Sequence, residues 1–301
     1  MKTYLLGSAL SLLALSASAQ RLPQPSPSAQ VKQAVGVTDL TLSYSRPGLR
    51  GRTAFGDTTA VRPYGKLWRT GANAATTLET STDLMVEGQP LPAGKYAIYS
   101  LPGASEWAVV FTKTMNANEN TYKEADDALR VKVKPTSGPK METFTAWFSD
   151  LTDSTANLNF AWGETLVPVK LMTPTATLVE KGIADAMAAK PDDANTLMAA
   201  ANYNLSKGRN LEQSLEFVNK ALAGGENLFN LWTKAQILGK LGRYAEAIPV
   251  AQQALSVGAT KNANALPFMQ TGITQAIGQW QGMLPKTVPS VPAMGKKKKK
   301  S

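Results

Sequence analysis

One change of hydrophobic period, at Pro174, most constrains what this chain can fold into. Before it, apolar residues alternate with period two in short runs; after it, they recur three and four residues apart. Period two places alternate side chains on one face of a strand, whereas a period of about 3.6 draws a stripe along a helix. No single element type satisfies both. An all-β domain followed by an all-α domain is therefore expected, and 301 residues accommodate two domains of roughly 100–200 residues each.

In the first half, Leu40–Tyr44, Tyr96–Tyr99, Trp107–Phe111, Leu129–Lys134, Thr143–Phe148, Leu158–Trp162 and Leu166–Leu171 each read as a strand. Turn residues separate them: Pro92-Ala93-Gly94, Pro102-Gly103, Pro135 to Pro139 and Asp150 to Asp153. A parallel α/β sheet would need helices between its strands, and none is visible. Short strands at this spacing, the seven named and eight or more expected in all, predict an antiparallel β-sandwich or jelly-roll-like barrel over residues 20–175.

Residues 176–285 carry six apolar stripes at helical spacing, beginning with Leu178, Val179, Ile183, Ala186 and Met187. Gly208, Gly224-Gly225, Gly242 and Gly258 are expected to stop successive helices. Gly208-Arg209-Asn210-Leu211-Glu212 is echoed by Gly242-Arg243-Tyr244-Ala245-Glu246 at an offset of 34. A helix–turn–helix unit of that length is the period of a tetratricopeptide repeat. Pro191-Asp192-Asp193-Ala194 resembles an inter-repeat turn, whereas Pro249 departs from the pattern by falling in a helix interior. The expectation is a TPR-like helical array of two to three degenerate units. The alternative is a plain helical bundle.

The ends carry other signals. Lys2, the apolar stretch Leu5–Leu15 and the small residues Ala17-Ser18-Ala19 form a secretory signal-peptide pattern, with cleavage expected after Ala19. The stretch is too short for a span of about 20 apolar residues, so residues 1–19 are read as a leader and the protein as periplasmic or secreted, not membrane-spanning. A lipoprotein is excluded because no cysteine stands at the cleavage site. Of the net charge of +10, a net of +6 comes from Lys286 and Lys296 to Lys300 in the Pro/Lys-rich tail 286–301, which is read as disordered. A solvated tail is the simplest account of that run. Nucleic acid is not an expected partner for an exported protein.

The chain contains no histidine and no cysteine. That removes Ser-His-Asp triads, thiolate nucleophiles, disulfides, zinc-thiolate sites and iron–sulfur clusters. Glu79, Asp83, Glu87, Glu106, Glu142 and Glu164 are the acids near expected strands, and no spacing brings two of them together as general acid and base. Asp126-Asp127 and Asp150 to Asp153 lack a calcium-loop pattern and sit where turns favour aspartate. No catalytic residue, metal site or cofactor is expected, and the reading leans away from an enzyme.

One segment is chemically dense. Arg46, Arg50, Arg52, Arg62, Lys66 and Arg69 fall within 24 residues, with Asp57 the only acid among them and Tyr64 and Trp68 interleaved. Guanidinium groups grip carboxylate or phosphate with two parallel bonds, and an aromatic face stacks on a sugar. Arg46, Arg52, Tyr64, Trp68, Arg69 and Asn73 are therefore the candidate ligand-binding set for a glycan or other anionic ligand. The competing account is structural, with arginines tying down backbone carbonyls and Trp68 in the core. Two functions follow: an exported interaction protein whose helical repeat binds an envelope protein or peptide, or a carbohydrate-binding or carbohydrate-active sandwich.

Tyr44-Ser45-Arg46-Pro47, Arg50-Gly51-Arg52 with Phe55-Gly56, and Pro63-Tyr64-Gly65-Lys66-Leu67-Trp68-Arg69-Thr70-Gly71-Ala72-Asn73 make up a distinctive signature. Leu91 to Tyr96 and Trp107 with Val110-Phe111 extend it. Over roughly 28–172 the chain resembles the DUF2911 family of exported bacterial proteins, typical of Bacteroidota. Thr58-Thr59-Ala60 departs from the family pattern by lengthening the loop before Pro63. The resemblance implies a fold, an exported address and often TPR-like helices downstream, but no activity.

Overall fold

The computed structural model describes residues 22–118 and 120–285. The leader and the lysine tail read from the sequence lie outside the described residues. The chain divides into two compact units between Ala176 and Thr177.

The first unit contains β1 (Ser28–Val35), β2 (Thr38–Ser45), β3 (Phe55–Gly56), β4 (Arg62–Pro63), β5 (Thr76–Thr80), β6 (Leu84–Val86), β7 (Gln89–Leu91), β8 (Gly94–Leu101), β9 (Trp107–Thr112), β10 (Asp127–Val133), β11 (Thr136–Ser149) and β12 (Thr155–Met172). A six-stranded sheet runs β1-β2-β5-β8-β9-β10 and a four-stranded sheet β11-β12-β6-β7. Every pairing within these two sheets is antiparallel. The only parallel pairing among the described residues is the two-residue ribbon β3–β4. Both sheets send alternate residues into one core: Leu42, Leu78, Ile98, Val109 and Val131 from the first, and Phe144, Leu158, Phe160 and Val169 from the second. This is the expected sandwich, with sequence alternation deciding which side chains face inward.

Two details differ from the sequence reading. Leu158–Trp162 and Leu166–Leu171 are not separate strands but parts of the single strand β12. Between them Gly163 pairs with Met141 at a point where the β11–β12 register shifts, so the glycine marks a bulge rather than a turn. β8 is also buried along most of its length, not on one face alone. Tyr96 and Ile98 enter the sandwich core, while Ala97 and Tyr99 join a small outer cluster with Val110 and Ala117. That outer cover is what creates the candidate site described below.

The second unit contains α1 (Thr175–Ala189, which starts in the first unit), α2 (Ala194–Lys207), α3 (Leu211–Ala223), α4 (Leu228–Lys240), α5 (Tyr244–Lys261) and α6 (Leu266–Met283). Asp193 caps α2 by accepting from the Thr196 amide and hydroxyl, each at 2.8 Å. These bonds hold its carboxyl below the usual carboxylate range, the backbone bond foremost. Gly208 and Gly242 lie just past α2 and α4 at φ of 64° and 74°. Gly258 does not stop a helix: it lies buried inside α5, where a Cβ would come within 3.0 Å of Leu266 and 3.1 Å of Leu228. Its role is close packing. α2 and α4 begin 34 residues apart, at 194 and 228. Among the described residues no helix is long and apolar enough to cross a membrane.

Candidate functional site

The signature segment is organised by one tryptophan. Trp68 and Ser100 exchange backbone hydrogen bonds of 2.8 Å in both directions, adding a single antiparallel bridge at β8. Alternation then sends Trp68 into the core and Leu67 and Arg69 to the other face. The Trp68 ring is 1% exposed and its Nε1 donates to the Gly71 carbonyl at 2.8 Å. It stacks on Trp162 at 5.7 Å and meets Phe55, Trp107 and Phe144 edge-on. Thr70 continues the inward set, its hydroxyl 2.9 Å from that of Ser100.

Of the six candidate ligand residues, Arg69 and Asn73 are joined by a hydrogen bond, but Arg69, Tyr64 and Arg52 line three different hollows. Arg46 donates from Nε to the Phe144 carbonyl at 3.2 Å and from Nη2 to the Thr145 hydroxyl at 2.7 Å, joining the end of β2 to β11. Arg52 donates to the carbonyls of Leu49 and Gly48 in its own loop. Asn73 Nδ2 donates to the Ser26 carbonyl at 3.1 Å. Tyr64 is 43% exposed and lines a separate hollow with Phe55, Trp107 and Glu164. Trp68 is core. The loops thus use their arginines largely as staples, because a guanidinium offers five donors to otherwise unpaired turn carbonyls. An Arg46→Lys exchange keeps the charge but loses this fork. It is expected to lower stability by about 1–2 kcal/mol, read from chemical denaturation of the two proteins.

Arg69 differs. Its Nη1 donates to the Asn73 carbonyl, closing the turn, while its side chain lines a hollow of about 300 Å³. Arg62 from β4, Tyr99 from β8, and Asn118 and Asn120 from the loop after β9 form the rest of the polar wall. The Tyr99 hydroxyl is shared between the carbonyls of Ala117 at 3.1 Å and Met115 at 3.3 Å, tethering that loop to the sheet. Burial pushes this hydroxyl up from its ordinary range, offset in part by its Ala117 bond and the nearby Arg69 charge. Asn118 Oδ1 accepts from the amides of Asn120 and Thr121, fixing a side-chain-closed turn. Sequence reading missed Tyr99, Asn118 and Asn120. They stand 30 to 51 positions beyond Arg69 and meet it only because β8 and the following loop fold beside it.

Glu142 and Glu164 line one hollow of about 420 Å³ together with Arg52 and Lys140. Glu142 Oε1, however, accepts from the Arg50 amide at 2.7 Å and so holds the signature loop to β11. The single Tyr122 hydroxyl proton is shared between the two Asp127 carboxylate oxygens, and Arg130 pairs with the same carboxylate at 2.8 Å. Asp150 accepts from Ser149 and Asn157. Among the described residues no group of three acids could hold a metal ion.

In the helical unit, α2, α4 and α6 line a groove of about 580 Å³. Trp232 and Trp280, 6.0 Å apart, are among its lining residues, and Asn202, Gln236, Lys240 and Gln279 supply polar groups. Trp280 lies so close over Gly239 that a Cβ there would come within 2.5 Å of the ring.

No curated protein and no solved structure matches this chain. Residues 26–171, nearly the whole of the β unit, match the model of the family described as protein of unknown function (DUF2911), which supports the family resemblance carried by the Trp68 signature.

Proposed function

We propose that this chain is an exported, non-catalytic binding protein of the bacterial cell envelope. Its working surface is the groove across α2, α4 and α6, and its ligand an extended peptide segment of an envelope protein. The leader pattern at 1–19 supports the address, and the recurrence at 34 residues supports reading 176–285 as a TPR-like array behind a β domain at 20–175. The groove itself carries the proposal: amides of Asn202, Gln236 and Gln279 both donate and accept, as a peptide backbone requires, beside two lining tryptophans for an apolar side chain. A helical stack offers such a face because each repeat contributes one helix to the same side.

The test is capture of envelope peptides by the purified chain, followed by titration of the captured sequence. A Gln236→Ala/Lys240→Ala variant changes only partly or fully exposed groove positions. It is expected to weaken binding about tenfold or more, the range for losing well-placed polar contacts. Equal affinity in the variant and the parent sinks the groove as the binding surface.

A further inference from the structure

Two adjoining hollows on the β unit carry an inference independent of the helical groove. We propose that together they form a binding site for a neutral oligosaccharide.

Contiguity comes first. One hollow, of about 270 Å³, is the one that Tyr64 lines, and the other, of about 420 Å³, has Arg52, Lys140 and Glu142 in its wall. Phe55, Glu164 and Thr165 line both, so the two meet at these residues. Hollows of this order fall at the lower end of ligand pockets, roughly 300–1,000 Å³. Two that adjoin offer successive subsites, which a chain of sugar units needs and a single compact molecule does not.

Charge sets the class. The charged side chains of the lining are Arg52 and Lys140 against Glu142 and Glu164, two positive and two negative, so their formal charges cancel. A balanced wall gives neither an anion nor a cation a net attraction. It still offers both kinds of hydrogen-bonding group, since guanidinium and ammonium only donate and carboxylates only accept. Arg52 and Glu142 already commit part of that capacity to the loop, Arg52 to the carbonyls of Leu49 and Gly48 and Glu142 Oε1 to the Arg50 amide. Among the described residues Glu164 and Lys140 make no hydrogen bond or ion pair, which leaves both for a ligand.

Hydroxyls and one aromatic ring then match a sugar. Thr53, Tyr64, Thr136, Ser137 and Thr165 each bring a hydroxyl that can donate and accept. Ser137 and Thr165 are directly opposite in the β11–β12 register, and such partners stand about 4.5–5.5 Å apart at Cβ. Thr136 donates to the Leu166 carbonyl at 3.2 Å and keeps its lone pairs for an incoming donor. Tyr64 is the only exposed aromatic among the described residues of the β unit. Its ring is apolar on the face and polar at the hydroxyl, the same division as a sugar with its C–H face and hydroxyl rim. The backbone around it is set before binding: the Tyr64 amide donates to the Gly56 carbonyl at 2.9 Å and the Gly65 amide to the Pro102 carbonyl at 2.8 Å. A side chain on such a fixed turn leaves less to order when the ligand arrives.

The experiment is calorimetric titration of the purified full-length chain with maltotetraose, cellotetraose and chitotetraose, and with tetragalacturonate as an acidic tetrasaccharide. At least one neutral tetrasaccharide is expected to bind with a Kd below about 1 mM. It is expected to bind about tenfold or more tightly than tetragalacturonate and than its own monosaccharide. Tyr64→Ala and Glu164→Gln are each expected to weaken that binding about tenfold or more, through loss of the ring and of a charged acceptor. Both positions are exposed, so neither change is expected to move the urea midpoint. Tyr64→Phe keeps the ring and is expected to retain more of the affinity than Tyr64→Ala. The Gln236→Ala/Lys240→Ala change in the helical groove is expected to leave sugar binding unaltered. Tetragalacturonate binding as tightly as every neutral tetrasaccharide overturns the proposal, as does a monosaccharide matching its tetrasaccharide. So does unchanged affinity in both Tyr64→Ala and Glu164→Gln, or no binding of any neutral tetrasaccharide at about 10 mM, weaker than the usual range for a specific site.

Discussion

Trp68→Ala is expected to cost the β unit about 3–5 kcal/mol, the usual range for removing a fully buried tryptophan. The ring meets four aromatic neighbours, Phe55, Trp107, Phe144 and Trp162, at centroid distances from 5.1 to 6.2 Å. It therefore joins residues from both sheets, and no single neighbour can move to fill its volume. Losing its Nε1 also strands the buried Gly71 carbonyl that it satisfies. Domains are stable by only about 5–15 kcal/mol, so this one change removes a large part of the margin. Trp68→Phe keeps most of the packing but not the hydrogen bond and is expected to fall between the two. Urea denaturation followed by far-ultraviolet circular dichroism reads both. A loss below about 1 kcal/mol for the alanine variant, the level of an ordinary surface change, would show that this ring does not hold the sheets together.

Gly36→Ala is expected to destabilise the same unit by about 2–4 kcal/mol, from two causes that add. β1 and β2 are joined by the two residues Gly36 and Val37, and Gly36 sits at φ 59°. Glycine at positive φ in the first of two loop positions suits the tight hairpin turns that match strand twist. Any side chain there pays the left-handed strain of roughly 1–2 kcal/mol. A Cβ would also lie 2.1 Å from the Thr175 hydroxyl and 2.3 Å from the Asp153 carbonyl. The Thr175 methyl lies 2.7 Å away as well, so turning that buried side chain brings no relief, and the carbonyl is fixed in the turn before β12. The same denaturation series measures the loss. Gly51→Ala is the matched control, since Gly51 has φ 79° but no atom within 4 Å of its Cβ position. It carries the strain alone, so equal losses at the two sites would remove the steric contribution.

The candidate site was half legible in the residues. The Arg46 to Asn73 segment stood out by its charge and aromatic density, whereas the opposite directions of Trp68 and Arg69 follow from the bridge between Trp68 and Ser100. What the density could not say is that Arg46 and Arg52 hold backbone carbonyls, while Arg69, bonded to the Asn73 carbonyl, also lines a hollow with Tyr99 and the Asn118 loop. A guanidinium satisfies a stranded carbonyl and a ligand carboxylate with the same donors, so composition alone cannot separate staple from site.

The order of the two units, the strand-to-helix change at Pro174 and the inward face of the cleanly alternating strands β2 and β10 follow from the sequence alone. Each rests on a periodicity that neighbouring residues along the chain set by themselves. The pairing of β5 with β8, the burial of both faces of β8 and the assembly of Arg62, Arg69, Tyr99 and the Asn118 loop around one hollow came only with the tertiary structure. These depend on residues distant in sequence meeting across a sheet, where closing long loops and packing side-chain volumes decide among pairings that local pattern leaves equivalent.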